Sequence, residues 1–106
     1  MTETRCYMVV IADLTDRDKF LAGYAKEVPP LVERFGGRYV IKGTGGQFLE
    51  ESWCEHPSVL VSEWPDRETA LAFWNSPEYA HAKTLRAGTG RFQVALIDSP
   101  PIGDGI

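Results

Sequence analysis

Arg5-Cys6-Tyr7-Met8-Val9-Val10-Ile11-Ala12 is the stretch on which the fold turns. It is rich in β-branched and aromatic residues and stops at Asp13, the pattern of a strand buried on both faces. Cys6, Met8, Val10 and Ala12 fall on one side, and Tyr7, Val9 and Ile11 on the other. Whatever covers the first set, the second also needs cover.

Working outward, Thr15 opens T-D-R-D, where a hydroxyl cap and the acids Asp16 and Asp18 suit the positive end of a helix dipole. Phe20, Tyr24, Val28, Leu31 and Phe35 then recur at steps of three or four up to Gly36-Gly37, one apolar helical face with a glycine stop. Pro29-Pro30 interrupts it, and the missing amide protons predict a kink or a break there. Arg38 to Lys42 reads as a short second strand. Gly43-Thr44-Gly45-Gly46 reads as a turn, and Gln47 to Trp53 as a flap extending the ribbon.

Ser58 to Trp64 (SVLVSEW) is the third strand, closed by Pro65-Asp66. Asp66 caps a second helix carrying Ala70, Leu71, Phe73 and Trp74. This helix pauses at Asn75-Ser76-Pro77-Glu78, where serine suits an N-cap and proline the first helical position. A further helical segment runs through Leu85 and ends near Gly88. Arg91 to Asp98 (RFQVALID) is the fourth strand, and residues 98–106 form an extended tail.

The order βαββαβ is the ferredoxin-like split βαβ arrangement: an α+β single domain over residues 1–106, with a four-stranded antiparallel sheet, strands one and three central, and both helices on one face. The doubly apolar first strand then implies assembly. A second identical sheet, packed face to face about a two-fold axis, buries the side the helices leave open and gives a homodimeric α+β barrel.

Composition agrees. With 106 residues, 43% hydrophobic and 25% charged, the chain holds one core. A domain of this size buries about two thirds of its unfolded surface, so association is a useful source of stability. The net charge of -4, without a basic cluster, argues against a nucleic-acid partner. The start Met1-Thr2-Glu3-Thr4-Arg5 lacks a leader pattern, and Cys6 to Ala12, the longest apolar run, is too short to span a bilayer, so no membrane association and a cytoplasmic location are expected. Cys6 and Cys54 are expected as free thiols.

The stretches Phe35 to Tyr39 (FGGRY), Glu50-Glu51-Ser52-Trp53, Glu63 to Asp66 (EWPD), and Asn75 to Arg86 with its N-S-P-E-Y and K-T-L-R resemble the family of domains of unknown function numbered 1330, over about Tyr7 to Asp98. The resemblance implies the dimeric α+β barrel fold and the homodimer, and no defined reaction. The chain departs from the commoner pattern at Pro29-Pro30 and at Trp64, where phenylalanine is usual, which bears on the shape of any pocket.

Several residues carry chemistry. His81 has two readings, a general base or haem ligand, as in related barrels, or a solvent-facing helix histidine. Glu63 on a central strand is either exposed near the strand end or buried beside Arg38 or Arg86, where it is a candidate catalytic carboxylate. Tyr24, Tyr39, Trp53 and Tyr79 are candidate ligand-binding residues, with Arg86 suited to clamp a carboxylate, against the alternative that all are core edges and surface pairs. Cys54-Glu55-His56 lacks the ligand count of a zinc site, and the glycine-rich turn at 43–46 lacks a helix and a following Lys-Ser/Thr, so neither metal nor nucleotide cofactor is expected.

Two functional classes follow. One is a small-molecule binding protein with an aromatic pocket between sheet and helices, taking an aromatic or carboxylate ligand and closed by the flap. The other is a cofactor-independent isomerase or monooxygenase, using His81 or Glu63 as base, Tyr39 or Tyr79 as oxyanion donors and Arg86 as clamp. Whether His81, Glu63 and Arg86 face one cavity decides between them.

Overall fold

All four strands read from the sequence are present in the computed structural model, which describes residues 4–101. The elements are β1 (Arg5–Leu14), α1 (Arg17–Ala22), α2 (Tyr24–Arg34), β2 (Arg38–Gly43), β3 (Ser58–Trp64), α3 (Arg67–Trp74), α4 (Pro77–Lys83) and β4 (Gly90–Ser99). A 3₁₀ turn at Thr84–Arg86 joins α4 to the last strand. The sheet order is β2-β3-β1-β4, with every neighbouring pair antiparallel, so β1 and β3 are central. Most of the expected tail lies outside the described residues.

The helices differ from expectation in detail. Asp16, not Thr15, caps α1, its carboxylate accepting from the Lys19 amide at 3.1 Å. The Thr15 amide instead donates to the Thr89 carbonyl at 2.8 Å. The break in the first helical stretch falls at Gly23, and Pro29 and Pro30 sit inside α2. Gly23 ends α1 through its amide on the Lys19 carbonyl, and its own carbonyl starts α2 by accepting from Lys26 and Glu27. The prolines withdraw donors only from the carbonyls of Ala25 and Lys26. Tyr24, Val28 and Val32 remain in phase as the buried stripe. Gly36, at φ +99°, ends α2 as expected.

Asp66 caps α3 and Ser76 caps α4, with Pro77 at the first helical position, all as read. The predicted flap does not extend the ribbon. After Gly43 the chain leaves the sheet until Ser58, and the loop closes on itself through the Gly46 amide and the Pro57 carbonyl at 2.9 Å.

Register sets the two faces of the sheet. Cys6, Met8 and Trp64 pack under the helices with Tyr24, Val28, Phe73 and Tyr79, forming the core. On the other face Tyr7 stands opposite Glu63 and Ile97, Val9 opposite Val61 and Ala95, and Ile11 opposite Val59. Ile41 joins them beside Val61. Among the described residues no helix covers this side, and Ile41 and Ile97 remain 49% and 51% exposed.

Candidate functional site

A cavity of about 380 Å³ opens between the helices and the β2–β3 side of the sheet. Its floor and walls are apolar: Phe20, Tyr24 and Val28 come from α1 and α2, and Leu60 and Tyr39 from the sheet. A narrow extension of about 20 Å³ shares Tyr24, Val28, Tyr39 and Leu60 and reaches Tyr79 and Trp74. Its size places the cavity within the range of small-molecule sites, which are concave and largely apolar.

The amphipathic period of α2 aims Tyr24 and Val28 at the sheet. Tyr24 stacks on Phe20 with ring centroids 5.2 Å apart and meets Tyr79 edge-on at 6.3 Å. The two hydroxyls share a hydrogen bond of 2.8 Å. Whichever donates, the accepting hydroxyl keeps its own proton for another acceptor. Burial, reinforced by neighbouring Tyr79, pushes the Tyr24 phenol well above its ordinary value, although the nearby Arg86 guanidinium opposes this. Burial and then Tyr79 push Tyr39 up to about 12. Both phenols are therefore donors at neutral pH, the form that suits a carbonyl or an oxyanion.

Arg17 and Lys42 stand at the mouth. Arg17 reaches the Ser58 hydroxyl at 3.4 Å, and the Lys42 ammonium lies 5.9 Å from the centre of the Tyr39 ring. No lining residue is acidic among those described.

Of the residues singled out in the sequence, Tyr24, Tyr39 and Tyr79 are brought together here, and the others are not. Glu63 is on the opposite face of the sheet, because it shares its side of β3 with Val59 and Val61 while Ser62 and Trp64 turn inward. There it accepts from Tyr7 at 2.7 Å and pairs with Arg38 at 2.9 Å. The Tyr7 hydroxyl and then the Arg38 guanidinium hold its carboxyl below the usual range.

His81 is exposed on the outer surface of α4, in an open groove with Glu27, Arg34 and Glu78. Arg86 stacks on Phe92 at 4.6 Å and over Tyr24 at 5.8 Å, outside the cavity lining, so its planar face is already occupied. Trp53 lies on the loop against Arg91, whose guanidinium sits 4.9 Å over its ring and donates to its carbonyl at 3.1 Å. His81, Glu63 and Arg86 thus face three different surroundings and form no acid–base constellation. Among the described residues no three His, Cys, Asp or Glu side chains are grouped to hold a metal ion, and no helix is long and apolar enough to cross a membrane. Both cysteines are free.

The mouth cations escaped the sequence reading. Arg17 lies on the stripe that continues through Phe20, Tyr24 and Val28, a signal visible in helical spacing. Lys42 could not be placed, because a register irregularity between Tyr39 and Ile41 lets both Tyr39 and Lys42 point to the helix side of the sheet.

Comparison with solved structures supports the fold. A protein of unknown function from Rhodopseudomonas palustris is similar at a TM-score of 0.72 and 21% identity, covering 90% of this chain and 82% of that one. A dimeric ferredoxin-like protein of unknown function from Jannaschia sp. is similar at 0.64 and 12% identity, over 88% and 97%. SnoaB, a cofactor-independent oxygenase from Streptomyces nogalater, is similar at 0.61 and 14%, over 90% and 91%. No curated protein matches the chain in sequence. Residues 5–100 match the family described as domain of unknown function 1330, so nearly all of this ferredoxin-like α+β fold is accounted for and the chain belongs to that family.

Proposed function

We propose that the protein is a homodimer that binds a small aromatic or carboxylate molecule in the cavity between its sheet and helices. The observation that carries the reading is the cavity itself: about 380 Å³, walled by Phe20, Val28 and Leu60, with phenol donors at its inner end. Apolar walls supply affinity, and a few polar groups fix orientation. The dimer rests on the uncovered sheet face, where Val9, Ile11, Val59, Val61 and Ala95 adjoin the exposed Ile41 and Ile97. A continuous apolar surface of this kind is a protein contact site, and the similar Jannaschia protein is described as dimeric.

The test fills the cavity. Ala25 lines it from α2 and is half-buried, so Ala25→Trp projects an indole into the space, and unchanged circular dichroism of the variant shows that the fold is kept. With 2-naphthoate as probe, the wild-type melting temperature rises with probe concentration, as it must for a ligand that binds only the folded chain. Ala25→Trp shows no rise. An equal rise in both proteins places the probe elsewhere and contradicts the reading.

A second reading, a cofactor-independent isomerase or monooxygenase, is favoured by the protonated phenols at the inner end, which suit a developing oxyanion, and by the fold it shares with SnoaB. With His81 and Glu63 outside the cavity lining, that reading has neither of its two expected bases there, and binding is the function the geometry supports best.

A further inference from the structure

The protein carries a net charge of -4, yet the rim of its cavity holds two cations and, among the described residues, no acid. Five of the other arginines are differently employed. Arg34, Arg38, Arg67 and Arg91 each reach a carboxylate within 3.4 Å, and Arg86 is stacked on Phe92. Arg17 meets only a neutral hydroxyl, and Lys42 lies over the face of a phenol ring. Neither has an ion-pair partner among the described residues.

Resting on the binding reading above, we infer that Arg17 and Lys42 are the anion-recognition pair of the cavity, and that the ligand is an aromatic carboxylate with its rings against Phe20, Val28 and Leu60 and its carboxylate at the mouth. Size sets the body. A cavity of roughly 150 Å³ holds one benzene ring, so this one takes about two fused rings. Charge sets the end. A guanidinium fork and a point-charge ammonium both donate charge-assisted hydrogen bonds to a carboxylate, and the guanidinium does so bidentately. The alternative role for Lys42, a charge that blunts the exposed edge strand β2, makes no demand on the ligand.

Titration calorimetry with 2-naphthoate and its neutral counterpart 2-naphthamide tests this on the wild-type chain and on Arg17→Gln, Lys42→Gln and the double variant. Both side chains are exposed, so the variants keep the fold. The wild type binds the carboxylate about tenfold more tightly than the amide, since each exposed rim cation adds a modest ion-pair attraction to the hydrogen bonds that either probe can accept. Each single variant loses part of that preference and the double variant loses it all, the carboxylate affinity falling by more than the amide affinity. The carboxylate preference also shrinks as salt is raised. Equal affinity for acid and amide in the wild type overturns the anion pair and leaves the apolar cavity standing. A preference that survives in the double variant overturns the assignment to these two residues. Binding of neither probe overturns both the pair and the cavity reading.

Discussion

On the proposed homodimer, a Val9→Glu variant is expected to run as a monomer at concentrations where the wild-type chain is expected to run as a dimer. Val9 is central to the open sheet face, between Val61 on β3 and Ala95 on β4. In a two-fold interface each copy brings the same substitution, so two carboxylates enter one apolar contact. An ionised group buried without a partner is costly. At only about 2 kcal/mol per copy the total is about 4 kcal/mol, which raises the dissociation constant by roughly three orders of magnitude. The protomer itself keeps its fold, since the helix-side core of Cys6, Met8, Trp64 and Tyr79 is untouched. Light scattering reads the mass directly, and unchanged circular dichroism separates dissociation from unfolding. A variant that remains dimeric places the contact on another surface.

Gly37→Ala lowers the stability of the protomer itself. A Cβ at Gly37 lies 2.7 Å from Cζ2 of Trp64 and 2.8 Å from Cε2 and Cη2. The indole cannot yield. It is fully buried, packs on Phe73 at 5.0 Å, and donates from Nε1 to the Ser62 hydroxyl at 2.9 Å. Overpacking of a core costs about 1–3 kcal/mol. At about 2 kcal/mol, a domain of this size loses on the order of 10 °C in melting temperature. Gly43→Ala, whose added atom meets only ordinary contacts beginning at 3.7 Å, serves as the comparison and changes little. Trp64→Phe removes the part of the ring that clashes, so Gly37→Ala in that background costs less than in the wild type, a coupling that a double-mutant cycle measures. Equal costs in the two backgrounds would show that the indole is not the obstacle.

This pairing also explains how so large a side chain fits beneath the helices. A tryptophan at position 64 is accommodated because Gly37 stands immediately before the neighbouring strand and because Ser62 accepts the indole N–H. The core beneath the helices is shaped accordingly.

Much of the fold was legible because it is written in local chemistry. The doubly apolar β1, the caps at Asp66 and Ser76, Pro77 and the stop at Gly36 each act within a few residues and appear where they were read. The break at Gly23 was missed because the proline pair looked the stronger interruption, whereas its effect is confined to two donors in the middle of α2. Thr15 reads as the cap because threonine and aspartate are both good caps and stand side by side. The neighbouring strand end claims the Thr15 amide.

Of the candidate cavity, the convergence of three tyrosines was legible and the cations at its mouth were not. Tyr24, Tyr39 and Tyr79 converge because each lies on the inward phase of its element. His81 was resolvable in principle, since helical spacing turns it away from the buried Tyr79 and Ala82. Glu63 was ambiguous. With Ser62 and Glu63 adjacent in VLVSEW, the alternation gives no preference until Trp64 is known to be core. Arg17 and Lys42 belong to no motif. What joins them is a tertiary juxtaposition and an irregularity in β2, neither of which the linear pattern encodes.

Methyl and aromatic NMR of the labelled protein titrated with 2-naphthoate locates the ligand directly. Shifts concentrated on Val28, Leu60, Phe20 and Tyr24, with the open-face methyls of Val9, Val61 and Ile97 unmoved, are the expected result. Shifts on the open face instead, or none at all, would contradict a ligand site between sheet and helices.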